Sequence, residues 1–255
     1  MQVFSGKAIM EQIVAGRLCF YQRPVPSPQL YAQNNWRMEI SRFTQARQTA
    51  IQELNVFHDR ALQQVGEAVA SIFTIHGLLL QDADYVETIH SLIQGQGMTA
   101  EYAVQIAEVS FAAAFSAMDS PYMRARAADI RDISQRVIRA LMGRRQELTM
   151  KEPAILVADY FLPSEVMDFD QKRLLGLITQ QGSLDSHTAM LLRAYHIPAI
   201  VEVDLPQQWE GHPALMDGYT GEIYVDPEQS QLDKLRELYQ ANGKPREHQE
   251  QPLPL

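Results

Sequence analysis

Apolar residues recur three and four positions apart from about residue 29 to residue 143, as in Trp36, Ile40 and Phe43 and then Ile51, Leu54 and Phe57. That period places them on one face of a helix, and proline almost vanishes from the stretch, so it is expected to be all helix. Its breaks are readable at Gly66, at Gln81-Asp82-Ala83-Asp84, at Gly95-Gln96-Gly97 and at Asp119-Ser120-Pro121, which predicts four or five helices. Ser120 is expected to accept hydrogen bonds from free amides as an N-cap, with Pro121 at the first helical position and Gly143 as the C-terminal stop. The short connections predict antiparallel packing, and Ala112-Ala113-Ala114 is expected to allow close helix contact.

The pattern is different on both sides of this stretch. Ile13 to Tyr21 is a β-rich run closed by the breaker cluster Pro24-Val25-Pro26-Ser27-Pro28, and it predicts one or two short strands. After Gly143, Ala154–Ala158, Leu174–Ile178 and Pro198–Val201 are short apolar runs of the kind found in buried strands, and Gly221–Val225 adds another. Short strands before Pro24 are not stable alone, so they are expected to join the later ones. The predicted organisation is a discontinuous α/β domain (1–28 plus 144–228) interrupted by an antiparallel all-α helical bundle (29–143). An amphipathic C-terminal helix (229–243) and a flexible polar tail (244–255) are expected to follow.

Composition narrows the setting. With 255 residues, 46% of them hydrophobic, the chain is long enough to bury a core. No apolar run approaches the ~20 residues that span a bilayer, and the N-terminus lacks the layout of a signal peptide, so a cytoplasmic protein without membrane contact is expected. A formal charge of −9 argues against a nucleic-acid surface and suits a basic protein partner. Cys19 is the single cysteine, which excludes an internal disulfide; in its apolar setting it is expected to be buried and inert. His58, His76, His90, His196, His212 and His248 have no paired ligand spacing, so no metal site is expected.

The candidate chemistry lies between two predicted strands, in Thr179-Gln180-Gln181-Gly182-Ser183-Leu184-Asp185-Ser186-His187-Thr188, which leads into the apolar run Ala189-Met190-Leu191-Leu192. A strand-turn-helix junction is implied, and the first amides of such a helix lack intrahelical partners and carry partial positive charge. A histidine there can accept a phosphoryl group on a ring nitrogen, with the amides and the Thr188 hydroxyl stabilising the arriving dianion. The same string also fits a plain helix start, with Ser186 as N-cap and His187 as a first-turn residue. Spacing alone does not choose between them.

Four groups of residues extend the comparison along the chain: Ala127-Ala128-Asp129-Ile130-Arg131-Asp132-Ile133, Pro163-Ser164-Glu165, Gly182 with Ser186-His187-Thr188, and Ile197-Pro198-Ala199-Ile200-Val201. In these, and from about Ala15 to Val225, the sequence resembles the N-terminal half of enzyme I, the phosphoenolpyruvate-protein phosphotransferase of the bacterial sugar phosphotransferase system. The resemblance implies an α/β phosphohistidine (swivelling) domain with an inserted helical subdomain. It also implies a phosphoryl relay through His187, with Ser186 and Thr188 in support and Arg193 as a charge partner. The insertion of that family docks the phosphocarrier HPr, and the matching positions here are Phe73, His76, Leu78, Leu79, Tyr85, Phe115, Met123 and Arg126.

The sequence also departs from the family. Gln181-Gly182-Ser183-Leu184-Asp185 replaces a pair of glycines, a residue that is often basic, and a threonine, and the Asp185 carboxylate would repel a nearby phosphohistidine by about 1 kcal/mol or more at an intermediate dielectric. Leu162 stands where many relatives carry a threonine that holds the unphosphorylated histidine. The family's barrel, which binds phosphoenolpyruvate and magnesium, does not fit in this length, so the chain by itself is expected not to use phosphoenolpyruvate and to need no cofactor; a barrel in cis or in trans would be the source of phosphate. Two alternatives accompany the relay: a docking or regulatory module without transfer, and the swivelling domain of another phosphoenolpyruvate-using enzyme, against which the helical insertion argues.

Overall fold

The computed structural model describes residues 1–23, 35–143, 150 and 152–228. They form two compact units, one of the described residues within 1–22, 150–161 and 169–228, the other of those within 23–143 and 162–168.

The first unit is built on an eight-stranded sheet: β1 (Gln2–Ser5), β2 (Lys7–Ala8), β3 (Ile13–Phe20), β4 (Ala154–Ala158), β5 (Leu174–Thr179), β6 (Ala199–Val201), β7 (Pro213–Asp217) and β8 (Glu222–Val225), in the order β1-β8-β7-β3-β4-β5-β6-β2. Strands β3 to β6 pair in parallel and the remaining pairs are antiparallel. The parallel strands are the apolar runs of the sequence, because strands covered on both faces need no polar alternation. Val14, Leu18, Ile155, Val157, Ile178, Ile200, Met216, Ile223 and Val225 share one core.

β1 and β2 stand at opposite ends of that order, yet Gly6 alone separates them, so the sheet has to curl until its ends meet. The closure requires a glycine. A Cβ at Gly6 would lie 2.4 Å from the Val201 carbonyl oxygen and 2.4 Å from a Val203 methyl carbon, while the Gly6 amide donates to the Gly221 carbonyl at 2.9 Å. Sequence reading placed no strand before Ile13 and none at Pro213–Asp217. Both segments are short and give weak alternation, and they become strands by pairing.

The second unit contains α1 (Trp36–Gln64), α2 (Glu67–Leu79), α3 (Ala83–Gln96), α4 (Ala100–Ser116), α5 (Pro121–Leu141) and the short α6 (Pro163–Asp168). Phe43, Leu54, Phe57, Phe73, Tyr85, Ile89, Ile93, Ile130 and Ile133 fill its core. Asp82 and Thr99 cap α3 and α4 with their side chains, and Gly97 ends α3 in the left-handed conformation at φ 64°. Glu39, buried in α1, reaches the Ala100 amide at 2.8 Å and so gives α4 a second, tertiary cap. Ser120 does occupy the N-cap of α5 with Pro121 behind it, but it makes no side-chain cap bond, contrary to the expectation from sequence. Of the alanine run only Ala112 is buried; Ala113 and Ala114 are exposed because the helix turns them off the contact face.

The division into units differs from the predicted one at α6, which lies in the chain between β4 and β5 but is held by α5. Asp132 accepts from the Ser164 amide at 2.9 Å and from its hydroxyl, so it caps α6 from another helix. Arg136 donates to the Ser164 carbonyl at 3.2 Å and to Asp168 at 2.5 Å, and its guanidinium lies 4.6 Å from the centre of the Phe57 ring. Burial pushes the Asp168 carboxyl up, and Arg136 and Arg139 oppose the shift. Cys19 is half-buried rather than buried; burial and the nearby Glu210 carboxylate raise its thiol, which keeps it protonated and unreactive. The proline cluster, the predicted C-terminal helix and the tail lie outside the described residues.

Gly6→Ala should destabilise the sheet unit by on the order of 3 kcal/mol, because the atom it meets is backbone and cannot yield. Gly95→Ala, whose new carbon meets nothing within 4 Å, should be neutral or stabilising. Chemical denaturation compares the two, and equal effects would refute the closure argument.

Candidate functional site

The loop from Gln180 to Ser186 joins β5 to α7 (His187–Ala194). Its first part is an extension of sheet pairing: the Gln180 amide donates to Ala158 at 3.1 Å and the Gln181 amide to Asp159 at 2.7 Å. Gly182 follows at φ +152°, and a Cβ there would lie 3.1 Å from Val201 Cγ1, so this point of the loop rests on the end of β6. Ser183 then makes the turn. Its hydroxyl accepts from the Asp185 amide at 3.2 Å, and its carbonyl accepts from the Ser186 amide at 3.3 Å and the Ser186 hydroxyl at 2.9 Å.

Ser186 is the N-cap, with its hydroxyl also accepting from the Ala189 amide at 3.1 Å, and His187 is the first residue of the helix. The His187 ring is half-buried, while Asp185 is exposed. A residue in this place has its backbone at the positive end of the helix dipole, where a doubly charged phosphoryl group is favoured.

The supporting residues are placed differently from the expectation. The Thr188 hydroxyl donates to the Phe161 carbonyl at 3.0 Å, which fixes α7 against the segment that follows β4 and takes that donor away from an incoming anion. Arg193 donates to the Leu184 carbonyl at 2.7 Å, so it braces the loop instead of pairing with the histidine ring. Arg193 lies six helical steps after His187, a rotation of roughly 240° that sets the two side chains on different faces. Ser186 is committed to capping. What remains for charge stabilisation is the backbone of the first turn.

In the helical unit the docking candidates fall into two sets. Leu78 is 63% exposed, and Leu79, Phe115 and Met123 are half-buried, so all four reach the surface. Phe73, His76, Tyr85 and Arg126 are buried and are corrected from docking face to interior. Phe73 packs edge-on against Phe57. Tyr85 shares a 2.8 Å hydrogen bond with Ser134 and meets the Phe111 ring edge-on, and burial drives its phenol well above the usual range. His76 has Nε2 3.2 Å from Asp129 and Nδ1 3.4 Å from Asp132, and Arg126 donates to Asp129 at 2.8 Å. Helical phase separates the sets: Val69, Ile72, Phe73 and His76 share the inner face of α2, and Leu78 lies off it. Sequence reading also gave no role to Asp132, Arg136 and Arg139, whose shared face of α5 secures α6; their spacing of four and three was the available signal.

Residues 5–126 match the family model of the PEP-utilising enzyme N-terminal domain, and residues 150–221 match the PEP-utilising enzyme mobile domain. The chain belongs to the PEP-utilising enzyme family. Curated relatives named phosphoenolpyruvate-protein phosphotransferase include those of Geobacillus stearothermophilus, 32% identical over 214 residues, and of Lactococcus lactis subsp. lactis, 33% identical over 211 residues; each alignment covers 80% of this chain. The chain spans about a third of the length of these relatives, 36% and 37% respectively. A solution structure of an enzyme I protein superposes with a TM-score of 0.71 at 24% identity, covering 93% of this chain and 98% of that one, which shows the fold. The N-terminal domain of a nitrogen enzyme I superposes with a TM-score of 0.63 at 25% identity, covering 92% and 98%. The His187 loop therefore lies within the segment that matches the family's mobile domain.

One carboxyl of the helical unit titrates near neutrality. Glu108 of α4 is pushed up to about 7 by burial, against the opposing pull of its 2.8 Å hydrogen bond from Gln135 on α5 and of Arg131 and Arg23. Its folded value lies above its unfolded one, so the folded state holds the extra proton and stability falls as pH rises from about 4.5 to 7. Glu108→Gln should stabilise this PEP-utilising enzyme chain by about 1 kcal/mol or more at pH 8 and make no difference near pH 4.5. Urea denaturation of both proteins across that range is the measurement; parallel pH profiles would be evidence against a half-buried, protonated Glu108.

Proposed function

We propose that this chain relays a phosphoryl group through His187 in the phosphoenolpyruvate-dependent sugar phosphotransferase system, exchanging it with an HPr-type phosphocarrier. The observation that carries this reading is the position of His187, half-buried as the first residue of α7 and inside the segment that matches the mobile domain. An unprotonated ring nitrogen of His187 attacks the phosphorus of the carrier's phosphohistidine. The new N–P bond forms as the carrier's N–P bond breaks, and its electron pair returns to the carrier's imidazole. Donor and acceptor are the same chemical type, so the step runs in either direction and the protein's task is alignment and charge stabilisation. With Thr188 and Ser186 engaged elsewhere, the first-turn backbone of α7 does the stabilising.

The docking candidates in this reading are Leu78, Leu79, Phe115 and Met123, the apolar positions of that group that reach the surface. Phosphoenolpyruvate and magnesium belong to a barrel, in cis or in trans, and the chain's own residues need neither to exchange phosphate with the carrier. A cytoplasmic setting follows from this role; among the described residues no helix is long and apolar enough to cross a membrane. A docking module that does not transfer is the second reading. Asp185, a carboxylate two residues before His187, favours it.

Incubation of the purified chain with phosphorylated HPr should place acid-labile, base-stable phosphate on the protein, and His187→Ala should abolish it. No such phosphate on the unmodified chain, together with retained carrier binding and a gain of transfer in Asp185→Thr, would replace the relay with the docking module. Leu78→Gln, at a position 63% exposed, should raise the apparent Kd for HPr about tenfold or more with little change in the protein's stability. Unchanged affinity, measured by titration calorimetry, would move the docking surface elsewhere.

A further inference from the structure

Thr179 is the last residue of β5 and only 6% exposed. Its carbonyl accepts from the Val203 amide at 2.9 Å, but among the described residues its buried hydroxyl oxygen has no hydrogen-bond partner. A buried hydroxyl without a partner costs stability, whereas valine, of the same shape, would cost nothing there. The hydroxyl faces the loop that carries the candidate histidine: its oxygen lies 3.5 Å from the point where a Cβ of Gly182 would be. Gly182 in turn rests on Val201, and among the described residues no group accepts from the amides of Gly182, Ser183 or Leu184. A polar side chain is thus buried next to a loop whose peptides at Gly182 and Ser183 are open to solvent and bound by no protein acceptor among the described residues.

We propose that Thr179 is a positioning residue for phosphoryl transfer, whose hydroxyl engages the Gly182 peptide when the phosphoryl group is on His187. The inference rests on the relay reading of His187. Charge drives the change. A dianion arriving at the start of α7 attracts the amides of the loop, and glycine at 182 allows the peptide to turn, since its φ of +152° already lies where side chains are rarely found. A hydroxyl both donates and accepts, so it takes whichever group of the turned peptide faces it. A bond made in the phosphorylated state and absent from the resting state shifts the equilibrium toward phosphorylation by its own free energy. Thr179 touches neither carrier nor phosphate in this scheme; it acts through the loop.

The test uses Thr179→Val and Thr179→Ser in the full chain, equilibrated with phosphorylated HPr at a fixed ratio. Tm and the fraction of His187 bearing phosphate are read on each protein. The expected result is a Tm for Thr179→Val at or above that of the unmodified protein, with the phosphorylated-to-free ratio of His187 reduced about three- to tenfold and largely restored in Thr179→Ser. A lower Tm for Thr179→Val would overturn the proposal, because the hydroxyl would then be stabilising the resting protein. So would an unchanged phosphorylated fraction. If the unmodified chain takes no phosphate while still binding HPr, the relay reading itself fails and this inference falls with it, an outcome distinct from the other two.

Discussion

The α/β unit depends on a single close approach of backbone to backbone. Gly6 lies where β1 ends and β2 begins, against the Val201 carbonyl, and it lets one extended segment complete both ends of the eight-stranded sheet. Val201 is also the residue on which Gly182 rests, so the seam of the sheet and the loop carrying His187 share a support. Two glycines, far apart in sequence, lie against Val201: a side chain at Gly6 would overlap its carbonyl oxygen, and one at Gly182 would be tight against its Cγ1 in a backbone conformation that side chains rarely adopt.

The helical unit solves a different problem. Its helices pack through apolar faces, and α6, whose residues Pro163 to Met167 are buried, is held by charged groups of α5 as well. Burying Asp132 and Arg136 has a desolvation cost that is offset only because each makes several hydrogen bonds. Asp132 receives two from Ser164; Arg136 bonds Ser164, Asp168 and Glu53 and covers the Phe57 ring. Removal of either partner would leave an isolated buried charge. This arrangement favours one position for α6 over others that would be equally apolar.

At the candidate site the hydroxyls are unequally employed. Ser183 and Ser186 build the turn and the cap, and Thr188 ties α7 to Phe161 in the segment after β4. These three make a rigid helix start, which is what a nucleophile needs if alignment is its main contribution. Thr179 is employed by none of these bonds, and its hydroxyl lies 3.5 Å from where a side chain of Gly182 would begin. Rigidity at His187 and reserve beneath Gly182 together describe a site that holds one residue still while its approach loop can respond to charge. Arg193 belongs to the rigid part, since its bond to Leu184 spans the loop from the far side of the helix.

The five long helices and their breaks were legible in the sequence, because a 3.6-residue apolar period and residues such as Gly66, Asp82, Gly97 and Pro121 act locally, within a turn of where they stand. The parallel strands were legible as apolar runs for a similar reason, and His187 at a helix start followed from Ser186 and the apolar residues after Thr188. Long-range pairing was not legible. β1, β2 and β7 are strands only because partners distant in sequence supply their hydrogen bonds, and no local period announces that. The membership of α6 was decided by Asp132, Arg136 and Arg139 on a helix more than twenty residues earlier. The same holds for side chains. Sequence placed His76, Tyr85 and Arg126 with Leu78 as one docking group, and tertiary packing separated them, since burial depends on which face of a helix meets a neighbour. Residue order determined the elements and the one candidate nucleophile; which hydroxyls, charges and apolar groups remain available was decided by contacts that form only when the chain has folded.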